Sequence, residues 1–357
     1  MRTRLRDFVE VEEGFFAVNT YYHPEDRIIS FLRYLNLEKI GNEVLKKYEL
    51  DPKDIRTLNG KKYIKVAETG KAYEILKEYY PEYLFYDEFN DVLLHGIPKD
   101  RVKNILRPHE RLEEILNSQN NEYEEKCAKL ANILNEYGLD YKNMGVSGST
   151  VLKLNNKNSD IDFVIYGMKN HKKAREILEE TFKDGKLSPL SDEFWQKAYK
   201  KRIKDGTLSY DEFVWHEKRK FNRGVVDGVM FDLLATREWD EITENYGSKK
   251  YENLGFVKIE ATVKNDDYMF DNPAVYEVED VKILNTDGLD LNYEDIKEVV
   301  SFTHTYAGQC FEGERIVVRG KLENVIFSNK GEKNNKNYKR VVVGTSREAF
   351  NEYIKLV

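Results

Sequence analysis

The chain has 357 residues, of which 64 are acidic and 57 are basic, so its formal net charge is −7. This charge argues against a protein whose only role is to coat nucleic acid. The length predicts two or three domains, and a hydrophobic content of 40% is enough to fill their cores. The two widely separated cysteines argue against a disulfide framework or a zinc site and favour a cytoplasmic location. No apolar run approaches the ~20 residues of a membrane span, so no membrane partner is expected.

The first region, residues 1–110, has the pattern of a small α+β domain of unknown role. Strands are predicted at residues 7–11, 14–22 and 62–67, and a helix is predicted at 72–79. Pro24-Glu25-Asp26 is a typical helix start, so a further helix is predicted to continue from Arg27 to Tyr34. The segment from His95 to Pro98 is predicted to be a loop.

The second region, residues 111–250, contains a turn of small residues suited to binding an anion. A helix predicted at residues 122–137 precedes an apolar segment at 143–146, and the pair Gly148-Ser149 follows. Backbone N–H groups at such a turn form a cradle for phosphate, and glycine lets the backbone approach the anion closely. Lys153 lies one helical turn beyond Ser149, where it could reach a phosphate or equally be a solvated surface lysine.

Two carboxylates lie on the strand predicted next, which begins Asp160-Ile161-Asp162. Alternate side chains of a strand share a face, so Asp160 and Asp162 are expected to point the same way. Neighbouring carboxylates repel each other, and a fold retains them most readily around a cation. A hard divalent cation is expected there, because such ions prefer oxygen ligands.

A third carboxylate is predicted on a later strand. After a helix predicted at residues 172–182, the apolar sequence from Val229 to Leu234 contains Asp232. Asp227 is the alternative, but its glycine neighbour favours a turn, whereas Asp232 has apolar residues on both sides. Asp232 is therefore ranked first.

The Gly148-Ser149 pair, its spacing from Asp160-Ile161-Asp162-Phe163, and a later Asp between apolar residues together resemble the signature of the DNA polymerase β-like nucleotidyltransferase superfamily. Neither the Gly-Ser pair nor the Asp-x-Asp pair is specific by itself. The resemblance covers residues 122–241 only. For that region it implies an α+β fold with a mixed sheet and packed helices. The strand and helix patterns of the rest of the chain predict an N-terminal α+β domain before it and a C-terminal mostly β domain after it. The resemblance also implies that Asp160, Asp162 and Asp232 are catalytic and hold two Mg²⁺ ions, while Gly148 and Ser149 hold the phosphates of an NTP.

Between the predicted catalytic strands, residues 195–223 combine basic and aromatic side chains. This composition suits contact with the phosphates and bases of a polynucleotide. An alternative of equal weight is a pair of amphipathic helices whose lysines are solvated. The basic residues considered as substrate ligands are Lys200, Lys201, Arg202, Lys218, Arg219 and Arg223.

The third region, residues 251–357, is predicted to be rich in strands. Strand patterns occur at residues 258–263, 275–284, 315–325 and 339–343. A polar hairpin tip or loop is predicted at 329–337, and a last helix at 347–356. Short strands with turn signals favour a small barrel or sandwich, and an oligonucleotide-binding barrel of the OB type is one option.

The leading hypothesis is a metal-dependent enzyme that transfers NMP from an NTP to a hydroxyl group and releases pyrophosphate. ATP is the expected nucleotide, and a polynucleotide end, first of all RNA, is the expected acceptor. The alternatives are adenylyl transfer to a small molecule or a protein side chain, and a nucleic-acid-binding protein that has lost catalysis. The sequence predicts no oligomeric state.

Overall fold

A computed structural model of the protein describes residues 1–286, 295–328, 337–344 and 349–357. The chain divides into two compact units, which differ from the three predicted regions. The first unit comprises Met1–Asp87, Val92–Ser188 and Asn222–Tyr246. The second comprises Glu88–Asp91, Pro189–Phe221 and Gly247–Val357. The N-terminal region therefore shares a unit with the Gly-Ser and Asp-x-Asp elements, and most of the basic segment belongs with the C-terminal strands. Among the described residues, no helix has the length and apolar character needed to cross a membrane.

An eight-stranded sheet forms the N-terminal part of the first unit. Its strands are β1 (Phe8–Val11), β2 (Gly14–Val18), β3 (Arg27–Asn36), β4 (Ile55–Leu58), β5 (Lys61–Lys65), β6 (Leu84–Asp87), β7 (Val92–Pro98) and β8 (Asn104–Leu106). Their order is β4-β5-β3-β2-β1-β8, and β7 pairs with β3 and β6. The accompanying helices are α1 (Leu37–Ile40), α2 (Glu43–Lys47) and α3 (Thr69–Tyr79). The α3 side chains Ala72, Ile75 and Leu76 are buried in the core of this layer.

Two predictions for this region were wrong. The predicted helix from Arg27 to Tyr34 is strand β3, and the predicted loop from His95 to Pro98 belongs to strand β7. The start signal before Arg27 is local, whereas β3 pairs with β2, β5 and β7 and so gains burial from partners distant in sequence. Gly96 fits within a strand because an added Cβ would lie 3.0 Å from Cβ of Phe85 on β6.

A four-stranded sheet forms the second part of this unit. Its strands are β9 (Met144–Val146), β10 (Ile161–Tyr166), β11 (Arg223–Val226) and β12 (Val229–Thr236), in the order β11-β12-β10-β9. β10 is parallel to β12 and antiparallel to β9. The helices are α4 (Pro108–Asn117), α5 (Glu122–Glu136), α6 (Gly148–Val151) and α7 (Met168–Lys183). Leu130, Ala131 and Leu134 of α5 pack in the same core as Phe163 of β10, as their helical spacing predicts.

The two sheets of the first unit are joined by a shared cluster of buried side chains. Phe8, Phe15 and Tyr34 of the N-terminal sheet pack with Val151 and Leu154, which lie at and just beyond α6. The Thr236 hydroxyl donates a hydrogen bond to the Leu5 carbonyl over 3.0 Å. The N-terminal sheet therefore packs against the part of the same unit that contains the predicted site.

The second unit combines two helices with a closed barrel. The helices are α8 (Asp192–Arg202) and α9 (Tyr210–Lys218). The strands are β13 (Lys249–Asn265), β14 (Ala274–Asn285), β15 (Ile296–Ser301), β16 (Arg315–Phe327), β17 (Tyr338–Val343) and β18 (Tyr353–Leu356). Their order is β13-β14-β15-β17-β16-β18, and pairing of β13 with β16 closes a ring of five strands. Within the ring, the β15–β17 pair is parallel and the other pairs are antiparallel.

The chain end differs from prediction. The helix predicted at residues 347–356 was wrong where it is described, because β18 (Tyr353–Leu356) is a strand paired antiparallel with β16. Alternation buries Ile354 in the barrel and leaves its neighbours partly exposed, a period-two pattern too short to be recognised by itself. Strand β15 was not predicted. The polar tract predicted at 329–337 lies outside the described residues except for Asn337.

Candidate active site

The Gly-Ser turn lies directly against one of the predicted carboxylates. Strand β9 ends at Val146, and the backbone N–H of Ser147 donates a 2.9 Å hydrogen bond to the Asp162 carbonyl. Gly148 has φ +60°, and a Cβ atom added to it would lie 1.9 Å from Oδ2 of Asp162. Glycine is required here for two reasons, because both the backbone conformation and the neighbouring carboxylate exclude a side chain.

The parallel strands β10 and β12 bring two carboxylates side by side. Asp162 and Asp232 are direct partners in the register of this pair, so their side chains leave the sheet on the same face. Asp162 is half-buried, and the Asp232 side chain is 19% exposed. Asp160 is exposed and precedes β10, and its carbonyl accepts a hydrogen bond from the Tyr123 hydroxyl. The structure thus joins Asp162 to Asp232 and leaves Asp160 at the rim.

Charge at this pair is balanced by arginines. Burial, and then the negative charge of Asp232, raise the pKa of Asp162 to about 6 from its ordinary 3.8. The charges of Arg6 and Arg33 act in the opposite direction on the pKa of Asp162. Arg223 of β11 lies opposite Asp232 of β12, and its guanidinium forms an ion pair with Oδ1 of Asp232 at 2.5 Å.

Arg6 and Arg33 belong to the N-terminal part, in which sequence reasoning found no functional residue. The Arg6 carbonyl accepts a 2.7 Å hydrogen bond from the Ser147 hydroxyl, which fixes the segment beside the Gly-Ser turn. Arg33 is the extra residue of a β-bulge, since Tyr34 pairs with Phe15 while Leu32 pairs with Phe16. A bulge re-aims a side chain. No sequence signal marks either arginine, because the site residues that they influence are distant along the chain.

The acidic residues fit a divalent cation by their chemistry, although they form no closed cluster. Within the part of the chain that the structure describes, no three His, Cys, Asp or Glu side chains are grouped so that they could hold a metal ion. Asp160 is exposed and precedes strand β10, and Asp232 forms an ion pair with Arg223. The pair of Asp162 and Asp232 nevertheless offers carboxylate oxygens on adjacent strands. Burial is the main cause of the raised pKa of Asp162, and a hard cation would relieve the second cause, the repulsion from Asp232.

The remaining predicted residues have other partners. Lys153 forms an exposed ion pair with Glu114 at 2.9 Å. Ser149 lies in α6, with its hydroxyl 3.4 Å from that of Ser159. Asp227, the rival third carboxylate, occupies the turn between β11 and β12 and pairs with Lys129 at 2.6 Å.

The basic segment is divided by the structure. Arg223 lies in the first unit, whereas the other five basic residues proposed as substrate ligands belong to the second. In the second unit Arg202 pairs with the buried Glu217 at 3.3 Å, and Arg219 pairs with Glu314. Lys200, Lys201 and Lys218 are exposed. The exposure of these three lysines fits the predicted pair of amphipathic helices with solvated lysines, and contact of the segment with a polynucleotide stays a prediction.

Comparison with known proteins supports a nucleotidyltransferase domain in this part of the chain. Residues 127–222 match a family model described as "Nucleotidyltransferase domain", a span that contains Gly148, Ser149, Asp160 and Asp162 and ends before Asp232. The chain is also 61% identical to an uncharacterized protein of Methanocaldococcus jannaschii, over 100% of this chain and 99% of the relative. No solved structure matches the chain. The chain therefore contains a nucleotidyltransferase domain at residues 127–222, which confirms the predicted resemblance to the polymerase β-like nucleotidyltransferase superfamily for that part of the chain.

Proposed function

We propose that the protein is a metal-dependent nucleotidyltransferase that moves NMP from an NTP to the hydroxyl end of a polynucleotide and releases pyrophosphate. One observation carries the proposal. Asp162 and Asp232 are register partners on parallel strands, and Gly148 holds the anion-binding turn against Asp162. A cation between the carboxylates and a phosphate at the turn would therefore be neighbours, as transfer of a nucleotidyl group requires.

Each residue has a role in this mechanism. Asp160, Asp162 and Asp232 would hold Mg²⁺ or Mn²⁺, which when bound stabilises charge on the entering and leaving oxygens. Gly148 and Ser149 would offer backbone N–H groups to the triphosphate. Lys153 would add positive charge, because its exposed pair with Glu114 is weak enough to be exchanged. Arg6 and Arg33, which belong to the N-terminal part of the first unit, would orient the phosphates.

The acceptor is inferred from the second unit. The ring order β13-β14-β15-β17-β16, with its parallel β15–β17 pair, supports an OB-type barrel, a fold that commonly binds single strands. The exposed lysines Lys200, Lys201 and Lys218 add positive charge in the same unit. RNA is the proposed acceptor, and ATP is the proposed nucleotide.

Transfer of label from α-³²P-NTP tests the proposal. The four labelled NTPs are each incubated with Mg²⁺ or Mn²⁺ and with total RNA, a protein extract or small-molecule acceptors. Label in RNA is expected with the wild-type protein. Label in protein or a small molecule would instead support adenylyl transfer to those acceptors, and transfer to none of them would indicate a non-catalytic binding protein.

Two single substitutions serve as test and matched control. Asp232→Asn is expected to abolish transfer because it removes the carboxylate that lies opposite Asp162. Asp227→Asn is expected to retain transfer, because Asp227 lies in a turn and pairs with Lys129. The reverse result would assign the third carboxylate to Asp227.

A further inference from the structure

The outer surface of the barrel has two faces of opposite charge. The strands β14 and β15 expose Glu277 and Glu279, and the partly exposed Glu298 pairs in register with Glu277. The neighbouring Asp280 is also exposed. The exposed Lys282 and Lys297 of the same strands offset only part of this negative charge, so a polyanion would be repelled from this face. In barrels of the OB type the second and third strands commonly bind the ligand, so this barrel requires a different face if it binds a nucleic acid.

The opposite face is formed by β13, β16 and β18, and its side chains are fixed by register. Arg319 of β16 pairs with Lys258 of β13 on one side and with Tyr353 of β18 on the other. Lys321 pairs with Phe256, and Val317 pairs with Lys355. Residues opposite each other in a sheet share a face, so these seven side chains form one surface. We call it the basic ribbon.

Burial alternates along the central strand of the basic ribbon. Val318, Gly320 and Leu322 are buried in the barrel, whereas Arg319 and Lys321 are accessible between them. The basic ribbon is therefore an outer surface of the barrel and not a lining of its core.

Free positive charge is concentrated at the centre of the basic ribbon. Lys321 is compensated by Glu323 at 2.5 Å, and Lys355 has only a long 3.7 Å pair with Glu212. Among the described residues, no ion pair involves Lys258 or Arg319. The Arg319 guanidinium instead donates to the Asn351 carbonyl over 2.7 Å. These two cations are available to an external anion.

Two aromatic rings accompany the cations. Phe256 is 38% exposed, and the Arg319 guanidinium lies 5.9 Å from the centre of its ring. Tyr353 is partly exposed, with the Lys355 ammonium 5.4 Å from its ring. Rings on which bases can stack, beside cations that contact phosphates, are the combination used to bind single strands without reading their sequence.

We infer that the basic ribbon binds a single-stranded polynucleotide, with Lys258 and Arg319 on phosphates and Phe256 stacked on a base. The inference rests on the proposed function, since this strand would be the acceptor. The acceptor would then bind on the side of the barrel formed by β13, β16 and β18, and not on the β14–β15 face.

Fluorescence anisotropy with a labelled 12-nucleotide single-stranded RNA tests the inference. The double variant Lys258→Glu/Arg319→Glu is expected to bind at least about tenfold more weakly, and the slope of log affinity against log salt should fall by roughly 1.4 for two lost phosphate contacts. Phe256→Ala is expected to weaken binding by about five- to a hundredfold, with little change in the salt slope.

Matched controls lie on the same unit. Lys282→Glu/Lys297→Glu makes the same charge change at exposed residues of β14 and β15, and Phe302→Ala removes another exposed ring. Both controls are expected to bind RNA like the wild type. Equal weakening by the two double variants, or no weakening by either, would overturn the inference, and circular dichroism would show that each variant is folded.

Because RNA binding does not require catalysis, the inference about the basic ribbon and the proposed nucleotidyltransferase function can be refuted separately. Asp160→Asn/Asp162→Asn is expected to bind the RNA like the wild type while transferring no label. If Lys258→Glu/Arg319→Glu still labels RNA at full rate, the inference that the basic ribbon binds the acceptor is refuted. The proposed nucleotidyltransferase function would then still stand. Binding that depends on the basic ribbon without any NMP transfer would refute the proposed function alone. A single-stranded DNA of the same sequence should bind by the same face, because phosphates and base rings are common to both.

Discussion

Replacing Asp162 by asparagine should stabilise the metal-free protein at neutral pH while removing its activity. The carboxylate is half-buried beside Asp232, and its pKa is raised to about 6 by burial and by that neighbour. A raised folded-state pKa means that ionised Asp162 costs the folded protein free energy. Asparagine has nearly the same shape and no charge, so it keeps the approach of Gly148 and removes the cost.

The magnitude follows from the displaced pKa. The shift from 3.8 to about 6 corresponds to about 3 kcal/mol at roughly 1.4 kcal/mol per pKa unit. Below pH 3.8 the carboxyl is protonated in both folded and unfolded chains, so the folded protein carries no penalty. The penalty grows as the pH rises towards 6 and is complete above it. The gain from Asp162→Asn should therefore be near zero at pH 3.5 and largest at pH 8.

Urea unfolding in EDTA, followed by circular dichroism between pH 3.5 and 8, measures this gain. Buried Asp7 also has a raised pKa, about 7, but it titrates in both proteins and cancels in the difference. Added Mg²⁺ should stabilise the wild type more than the variant and narrow the difference between them. A gain that is the same at every pH, or a loss at pH 8, would refute the reasoning.

Three further predictions concern the same site. Gly148→Ala should destabilise the protein and abolish transfer. The control Gly185→Ala should lower the free energy of unfolding by less, because Gly185 also has a positive φ, +69°, but an added Cβ there has nothing within 4 Å. Arg223→Gln should cost about 1–3 kcal/mol of unfolding free energy in EDTA, since it leaves the partly buried carboxylate of Asp232 without its cation. Mn²⁺ should restore much of that loss, and a loss equally large with and without Mn²⁺ would argue against a cation at Asp232. Lys153→Ala should change stability by less than about 1 kcal/mol but raise the KM for NTP, and an unchanged KM would place the lysine outside the phosphate site.

Local sequence was sufficient for the elements that carry the Gly-Ser turn and the carboxylates. Apolar flanks marked β9, β10 and β12, and the spacing of Leu130, Ala131 and Leu134 marked α5. Local signals failed where distant strands decide the outcome. β3 was mistaken for a helix because Pro24-Glu25-Asp26 resembles a cap, and burial against β2, β5 and β7 overrides that preference. Arg33, whose charge acts on the pKa of Asp162, is the extra residue of a bulge in the same strand, and no local pattern predicts that bulge.

The partner of Asp232 is a different case, because the sequence contains the signal that identifies it. Asp227 and Gly228 both have positive φ, 43° and 80°, and they form the two-residue turn that joins β11 to β12. Such a turn favours Asp-Gly and fixes the register of its hairpin. Val226 pairs with Val229, and counting outward brings Arg223 opposite Asp232. The Asp227-Gly228 dipeptide that forms this turn therefore also places Arg223 opposite Asp232. An arginine held there by hairpin geometry balances Asp232 when no metal is bound, which explains why a fold can keep Asp232 beside the ionisable Asp162.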